Sequence, residues 1–126
     1  FLYETIKNKF QVRLENPINT GFSEPEPDIA IVANGDYSTS HPREAKLVIE
    51  VANTSIALDR AKSYIYAKAK IEEYIIINLQ NNILEIYTNP MDGKYSYTKI
   101  LQKEEVFTST VISEISFSLN DFLSKT

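Results

Sequence analysis

The sequence has no cysteine and only one histidine among its 126 residues. Without cysteine there can be no disulfide framework, no thiolate metal site and no cysteine nucleophile. One histidine excludes a zinc site built from several histidines, so a bound metal must be held mainly by oxygen, which favours Mg²⁺, Mn²⁺ or Ca²⁺. That histidine, His41, is interpreted as a solvated loop residue. The lack of cysteine fits a reducing compartment, so we expect a cytoplasmic protein.

Long apolar runs are also missing. None approaches the roughly 18–20 residues that cross a bilayer, and the first residues do not form a signal-peptide pattern. We therefore expect no association with a membrane. The length fits one domain, residues 1–126, and the composition, 43% hydrophobic and 24% charged, is that of an ordinary globular chain.

Positive charge is scarce overall but concentrated in one segment. The net charge is −4, which argues against a general nucleic-acid coat protein. Residues 43–70, however, hold six basic against three acidic residues. Two interpretations stay open: a solvated helix face, or a local patch that attracts phosphate.

The periodicity of apolar residues predicts seven strands and one helix. The strands are 4–15, 28–32, 46–51, 72–79, 83–88, 94–101 and 106–119, and the last six residues before the C-terminal Thr126 suggest one helical turn. The helix is 56–71, with an apolar stripe at Ala57, Ala61, Tyr64, Ile65 and Ala69, while Asp59, Lys62 and Tyr66 share another face. This order predicts an α/β or α+β domain, with a mixed central sheet, a helix crossing one face and C-terminal hairpins.

One acid sits in an unexpected place. Glu50 lies within the apolar run "KLVIEV", Lys46 to Val51. Burying an unpaired carboxylate costs on the order of several kcal/mol. A cation, a metal, a proton or exposure at the strand end must therefore compensate for it.

A second acid, Asp28, opens the preceding strand. If the two strands pair, Asp28 and Glu50 could meet at one rim of the sheet, where a divalent cation would relieve their repulsion. The Val51 carbonyl could add a third oxygen, and Lys62 could reach the same rim from the helix. Such a set suits phosphodiester hydrolysis. The alternative stays open: Asp28 as a turn residue, Glu50 in a salt bridge with a lysine, and Lys62 paired with Asp59.

The stretches "EPEPDIAIV", "KLVIEVANTS" and "LDRAKSYIYAKAKIEEYIIINL" resemble the Uma-two family within the PD-(D/E)XK restriction-endonuclease-like superfamily. The residues that match are Pro27-Asp28, Glu50-Val51, Asp59, Lys62, Tyr66 and Glu73-Tyr74. The superfamily's lysine two residues after the acid is replaced here by Ala52, and Lys62 on the helix corresponds to it. Two further departures are Ile75, where the family has Trp, and Asn78, where it has Asp.

The resemblance implies a restriction-endonuclease-like core in which Asp28, Glu50 and the Val51 carbonyl hold Mg²⁺ or Mn²⁺. It implies Asp28, Glu50 and Lys62 as catalytic residues, and Lys62 and Tyr66 as substrate-binding residues. For Tyr66 we also keep the alternative that it packs against the sheet. Glu73 is expected to be the structural partner of a cation. The family's usual N-terminal helix is not visible before Phe1, so we expect the domain to lack it.

We therefore expect a metal-dependent endonuclease acting on nucleic acid, with DNA preferred over RNA as the substrate. A nuclease fold that binds or assembles without turnover is the second hypothesis, and the acidic total charge favours it. A structural subunit that pairs through strands after residue 80 is the third, and it would make a homodimer.

Overall fold

A computed structural model describes residues 10–14, 18, 20–21, 23, 25–33 and 45–123. His41 and most of the predicted strand 4–15 lie outside these residues. The elements are β1 Phe10–Leu14, β2 Ile29–Ala33, β3 Ala45–Ala52, α1 Ile56–Ala61, α2 Ser63–Lys68, β4 Glu73–Asn78, β5 Ile83–Met91, β6 Lys94–Gln102, β7 Phe107–Thr108, β8 Ser116–Phe117 and a 3₁₀ turn Leu119–Phe122.

Strands β1 to β6 form one six-stranded sheet in the order of the sequence. Neighbours are antiparallel except β3 and β4, which are parallel. A parallel pair needs a crossover connection, and here α1 and α2 provide it and cover one face of the sheet. The predicted mixed sheet with a helical crossover is confirmed. Among the described residues, no helix is long and apolar enough to cross a membrane.

The two faces of the sheet carry different residues, because successive side chains of a strand point to opposite sides. On the side opposite the helices, which we call the ribbon face, Leu47 and Ile49 of β3 join a cluster that includes Ile75, Phe107 and Phe117. On the helix face, Val48 and Ala52 pack with a cluster that contains Ala30, Tyr66, Tyr74 and Ile76. Glu50 lies between Val48 and Ala52, so it belongs to the helix face.

The predicted helix 56–71 is two short helices that meet at Lys62. The Lys62 N–H donates to the Leu58 carbonyl at 3.0 Å, and its own carbonyl accepts from the Tyr66 N–H at 3.1 Å, so the chain stays helical through the junction. The predicted apolar stripe was wrong. Tyr64 is 62% exposed, whereas Asp59, Tyr66 and Ala67 are buried, because the sheet beneath presents a carboxylate and tyrosines rather than aliphatic side chains.

The long strand predicted at 106–119 was also wrong. Only β7 and β8, two residues each, pair with one another, and this short ribbon is separate from the main sheet. Its apolar side chains still cover the ribbon face, since Ile112, Ile115 and Leu119 belong to that cluster. The predicted final helical turn is present as the 3₁₀ turn.

Candidate functional site

The Asp28 and Glu50 side chains each accept a backbone N–H across the β2–β3 pair. The pairing of Ile29 with Ile49 sets Asp28 opposite Glu50. The Asp28 N–H donates to Glu50 Oε1 at 2.9 Å, and the Val51 N–H donates to Asp28 Oδ2 at 2.7 Å. Both acids are in phase with helix-face residues of their strands. The structure therefore brings the two carboxylates to the same side of one rim.

Glu50 is almost completely buried, with 2% of its surface exposed. Its second oxygen, Oε2, accepts from Lys62 Nζ at 3.3 Å and from the Tyr66 hydroxyl at 3.0 Å. Together with the Asp28 N–H, these donors compensate for the carboxylate inside the apolar strand. Lys62 thus reaches the rim from the junction between α1 and α2.

The electrostatic balance at this rim favours additional positive charge. Burial raises the pKa of Glu50 and the charge of Asp28 raises it further, while the Asp28 N–H, Lys62 and Tyr66 act in the opposite direction without cancelling the rise. Burial would lower the pKa of Lys62, but the neighbouring charges of Glu50 and Asp59 raise it overall. Lys62 is therefore a stable cation, and the ionised form of Glu50 is held at an energetic cost.

A third acid, Asp59, shares Lys62 with Glu50. The Lys62 ammonium lies 3.4 Å from Asp59 Oδ1, and Asp59 Oδ2 accepts from the Ser55 hydroxyl at 2.7 Å. The two sequence interpretations of Lys62, a pair with Asp59 and a contact with Glu50, therefore hold together. The spacing of three residues between Asp59 and Lys62 was the signal available in the sequence.

The oxygen atoms at the rim suit a hard cation that keeps part of its water shell. No group of three or more histidine, aspartate or glutamate side chains able to hold a metal occurs within the described part of the chain. Mg²⁺, however, is commonly bound by one or two carboxylates, with waters and substrate phosphates completing the shell. Asp28 Oδ1 accepts no hydrogen bond from a described residue, and Glu50 Oε1 accepts one. Each of these oxygens has acceptor capacity left.

Val51 is 40% exposed, at the position where β3 approaches its end. Tyr66, in contrast, has no exposed surface, and burial raises the pKa of its hydroxyl, so it remains a neutral donor to Glu50. Its ring packs against Tyr74 at 4.9 Å between centroids. Of the two interpretations for Tyr66, packing against the sheet describes its surroundings.

Glu73 lies apart from this group, on the ribbon face. Among the described residues, no cation forms an ion pair with it. Its carboxylate accepts from the Ser109 hydroxyl and from the Thr110 N–H and hydroxyl. Glu73 therefore ties the C-terminal segment to the sheet.

Sequence reasoning missed a further buried acid on the helix face, Glu85 of β5. Both oxygens of Glu85 bind the Arg60 guanidinium, with Nε to Oε1 at 3.0 Å and Nη2 to Oε2 at 2.6 Å. Asn78 and Tyr87 donate to the same carboxylate at 2.9 and 2.8 Å. The alternation in "ILEIYT" placed Glu85 on the same face of the strand as Tyr87, but the sequence did not indicate that this face is buried.

Comparison with known proteins identifies the family. The family model described as "Uma2: Putative restriction endonuclease" matches residues 4–120. The chain belongs to the Uma2 family. The Uma2 match includes every residue of the rim described above, and it agrees with the resemblance noted from the sequence.

A solved structure supports the same fold for this Uma2 chain. It is a crystal structure of "a putative nuclease belonging to DUF820 from Anabaena variabilis ATCC 29413". The TM-score is 0.75 at 16% identity, and the alignment covers 95% of this chain and 72% of that chain. At this identity the likeness shows the fold, which is that of a restriction-endonuclease-like protein. No curated protein matches the chain.

Proposed function

We propose that this protein is a divalent-metal-dependent nuclease that hydrolyses phosphodiester bonds in nucleic acid, with DNA as the preferred substrate. The observation that carries the proposal is the rim itself. Two carboxylates from neighbouring strands each accept a backbone N–H of the other strand, Glu50 from Asp28 at 2.9 Å and Asp28 from Val51 at 2.7 Å, and an ammonium lies 3.3 Å from Glu50. Membership of a family described as a restriction endonuclease supports the same reaction.

In this proposal Asp28 and Glu50, with the Val51 carbonyl, hold Mg²⁺ or Mn²⁺. Their donor atoms are all oxygen, as these hard ions prefer. A divalent ion bound there would polarise the phosphate and lower the pKa of a coordinated water. The raised pKa of Glu50, caused first by its burial, supports the assignment, since a nearby divalent charge would stabilise the ionised form.

Lys62 stabilises the negative charge that develops on the phosphate oxygens during attack, because its ammonium remains protonated beside two acids. Asp59 holds the end of Lys62 in place and limits how far the ammonium can swing. Tyr66 is a positioning residue in this mechanism, because its hydroxyl holds Glu50 while its buried ring has no surface for a substrate.

Metal binding tests the proposed ligands. Titration calorimetry with Mn²⁺ on the wild type and Glu50→Gln is expected to give at least a tenfold loss of affinity, about 1.4 kcal/mol. Glu104→Gln is a matched control, since Glu104 is exposed and distant in sequence from the rim. Equal affinities for the wild type and Glu50→Gln would remove Glu50 from the site.

Cleavage tests the function. Purified protein with Mn²⁺ and supercoiled, linear or single-stranded DNA, and RNA in parallel, is expected to cut DNA, and Lys62→Ala is expected to lose at least a hundredfold in rate, of the order found on removing one charge-stabilising donor. Cutting that survives Lys62→Ala would belong to a contaminant. Tight metal and nucleic-acid binding without cutting would favour the second hypothesis, a nuclease fold used for binding.

A further inference from the structure

The Arg60–Glu85 pair is held unusually firmly for a partly exposed ion pair. Both oxygens of Glu85 accept from Arg60, and one further donor, Asn78 or Tyr87, binds each oxygen. The side chain of Glu85 is 2% exposed, whereas that of Arg60 is 51% exposed. A planar guanidinium bound through two parallel hydrogen bonds has a fixed orientation. Arg60 therefore presents the outer edge of its guanidinium to solvent in a defined direction.

Arg60 lies at the same level of the sheet as the proposed metal ligands. Glu50 pairs with Ile76 of β4, and Ile76 pairs with Glu85 of β5, so the two acids occupy one row across three strands. Two strand spacings separate them, about 9–10 Å. The Tyr74 hydroxyl, which donates to the Asp59 carbonyl at 2.6 Å, ties α1 to the middle strand.

Helix α1 lies over β4, and two cations extend from it and its C-terminal end, one to each side of that strand. Lys62 reaches Glu50 on β3, and Arg60 reaches Glu85 on β5. Glu85 occupies Nε and one N–H of Nη2, and Arg60 Nη1 makes no hydrogen bond to any described residue, so the outer edge formed by Nη1 and Nη2 remains able to bind an anion. A guanidinium matches a phosphate with two parallel hydrogen bonds, and ordering it in advance lowers the entropy cost of binding.

We propose that Arg60 binds the phosphodiester backbone of the nucleic acid beside the reacting phosphate, and that Glu85, Asn78 and Tyr87 are the residues that position it. This inference rests on the proposed nuclease function and extends it to how the strand is held. At about 3.4 Å of rise per nucleotide, the span between Glu50 and Glu85 corresponds to a phosphate within roughly three nucleotides of the one that reacts.

A purely structural salt bridge between α1 and β5 would leave nucleic-acid binding independent of Arg60. The double variant Arg60→Gln with Glu85→Gln separates the two roles, because it keeps the net charge and leaves no unpaired buried carboxylate. The affinity for a labelled duplex is measured by fluorescence anisotropy at several salt concentrations. Ca²⁺ serves as the divalent ion, and a gel afterwards confirms that the DNA is intact.

The proposal predicts that the double variant binds about tenfold more weakly, the loss typical of one charged hydrogen bond. The slope of log affinity against log salt should fall in magnitude by about 0.9 for a duplex, or about 0.7 for a single strand, for each phosphate that is no longer neutralised. Unchanged affinity and slope in the double variant overturn the proposal, since a structural bridge predicts that result. In that case, wild-type binding and cutting still support the nuclease function.

Two further variants complete the test. Lys99→Gln removes one exposed charge from β6 on the ribbon face, so its slope should match that of the wild type. Arg60→Lys keeps the charge but cannot form two parallel bonds, so it should keep the slope and bind severalfold more weakly; wild-type affinity in Arg60→Lys would overturn the proposed geometry. A wild type that binds neither DNA nor RNA would defeat the nuclease function and this inference together.

Discussion

The two faces of one sheet differ in how they are filled, although they share the same strands. The ribbon face is mainly aliphatic and aromatic, and its one buried carboxylate among the described residues, Glu73, accepts from Ser109 and Thr110. Its fully buried apolar side chains beneath the C-terminal segment are Ile31, Leu47, Ile49, Ile75, Ile77 and Leu84. The helix face buries three carboxylates, those of Glu50, Asp59 and Glu85. The ribbon face therefore contributes mainly stability, and the helix face carries the residues of the proposed site at some cost in stability.

Tyrosines make the helix face possible. The rings of Tyr66, Tyr74, Tyr87 and Tyr95 pack together, with centroid distances of 4.9 to 6.4 Å. Each hydroxyl meets an acceptor: Glu50 Oε2, the Asp59 carbonyl, Glu85 Oε1 and the Ile71 carbonyl, respectively. A tyrosine offers an apolar ring and a polar end, so these residues fill a core and satisfy buried carboxylates at once. The chain's high tyrosine content is thus mostly structural on this face.

The largest effect on stability is expected on the ribbon face. Ile75→Ala removes a side chain with no exposed surface and should lower the free energy of unfolding by about 2–5 kcal/mol, the range for such truncations in a core. Urea denaturation measures this loss. The Mn²⁺ affinity per folded molecule should not change, because Ile75 points away from the rim. A large loss of metal affinity in folded Ile75→Ala would show that the two faces are not independent.

A smaller effect, dependent on pH, is expected from Glu85→Gln on the helix face. Burial alone would raise the pKa of Glu85, but the hydrogen bonds from Arg60, Asn78 and Tyr87 outweigh it and lower the pKa below its ordinary 4.5. The stability from the ionised carboxylate is therefore present above pH 4.5 and is lost as the pH falls through the lowered value. At neutral pH the substitution should cost about 1–3 kcal/mol.

Denaturation of the wild type and Glu85→Gln from neutral to acidic pH measures this effect. The difference between their free energies of unfolding should shrink as the solution becomes acidic. A difference that stays constant over this range would mean that the charge of Glu85 contributes little, and that the shape of the side chain accounts for its role.

The smallest effect is expected from Tyr66→Phe. This change removes the hydroxyl that donates to Glu50 and keeps the ring that packs on Tyr74. The free energy of unfolding should fall by about 0.5–1.5 kcal/mol, as for one hydrogen bond, and the Mn²⁺ affinity should change by only a few fold. A hundredfold loss of metal affinity with little change in stability would make Tyr66 a larger part of the site than a positioning residue.

The strands of the main sheet could be predicted because apolar runs such as "EEYIIINL" are buried on both faces and leave few alternatives. Asp28, Glu50 and Lys62 were found because each stands out locally: an acid after proline, an acid within an apolar run, and a lysine on the following helix. Their convergence followed from the pairing of two consecutive strands, which is the usual arrangement.

The errors have a common physical origin. The rule that apolar residues face the core placed Tyr64 inside and Asp59 outside, but the surface under this helix is itself polar, so Asp59 is buried and Tyr64 is exposed. In the C-terminal segment, residues with strand propensity pack as an irregular cover, and their backbone bonds in part to Glu73. The ion pair of Arg60 with Glu85 was not predicted, because it depends on how α1 lies over β4 and no local sequence pattern indicates that placement.

The parallel pairing of β3 with β4 has a consequence for folding. The strands of the β5–β6 hairpin are separated by a two-residue turn, so they can pair early. Leu47 of β3 can pair with Glu73 of β4 only after the whole crossover between them has closed. Distant contacts of this kind slow folding. Since the same closure carries Lys62 to Glu50, the rim is assembled only at a late step of folding.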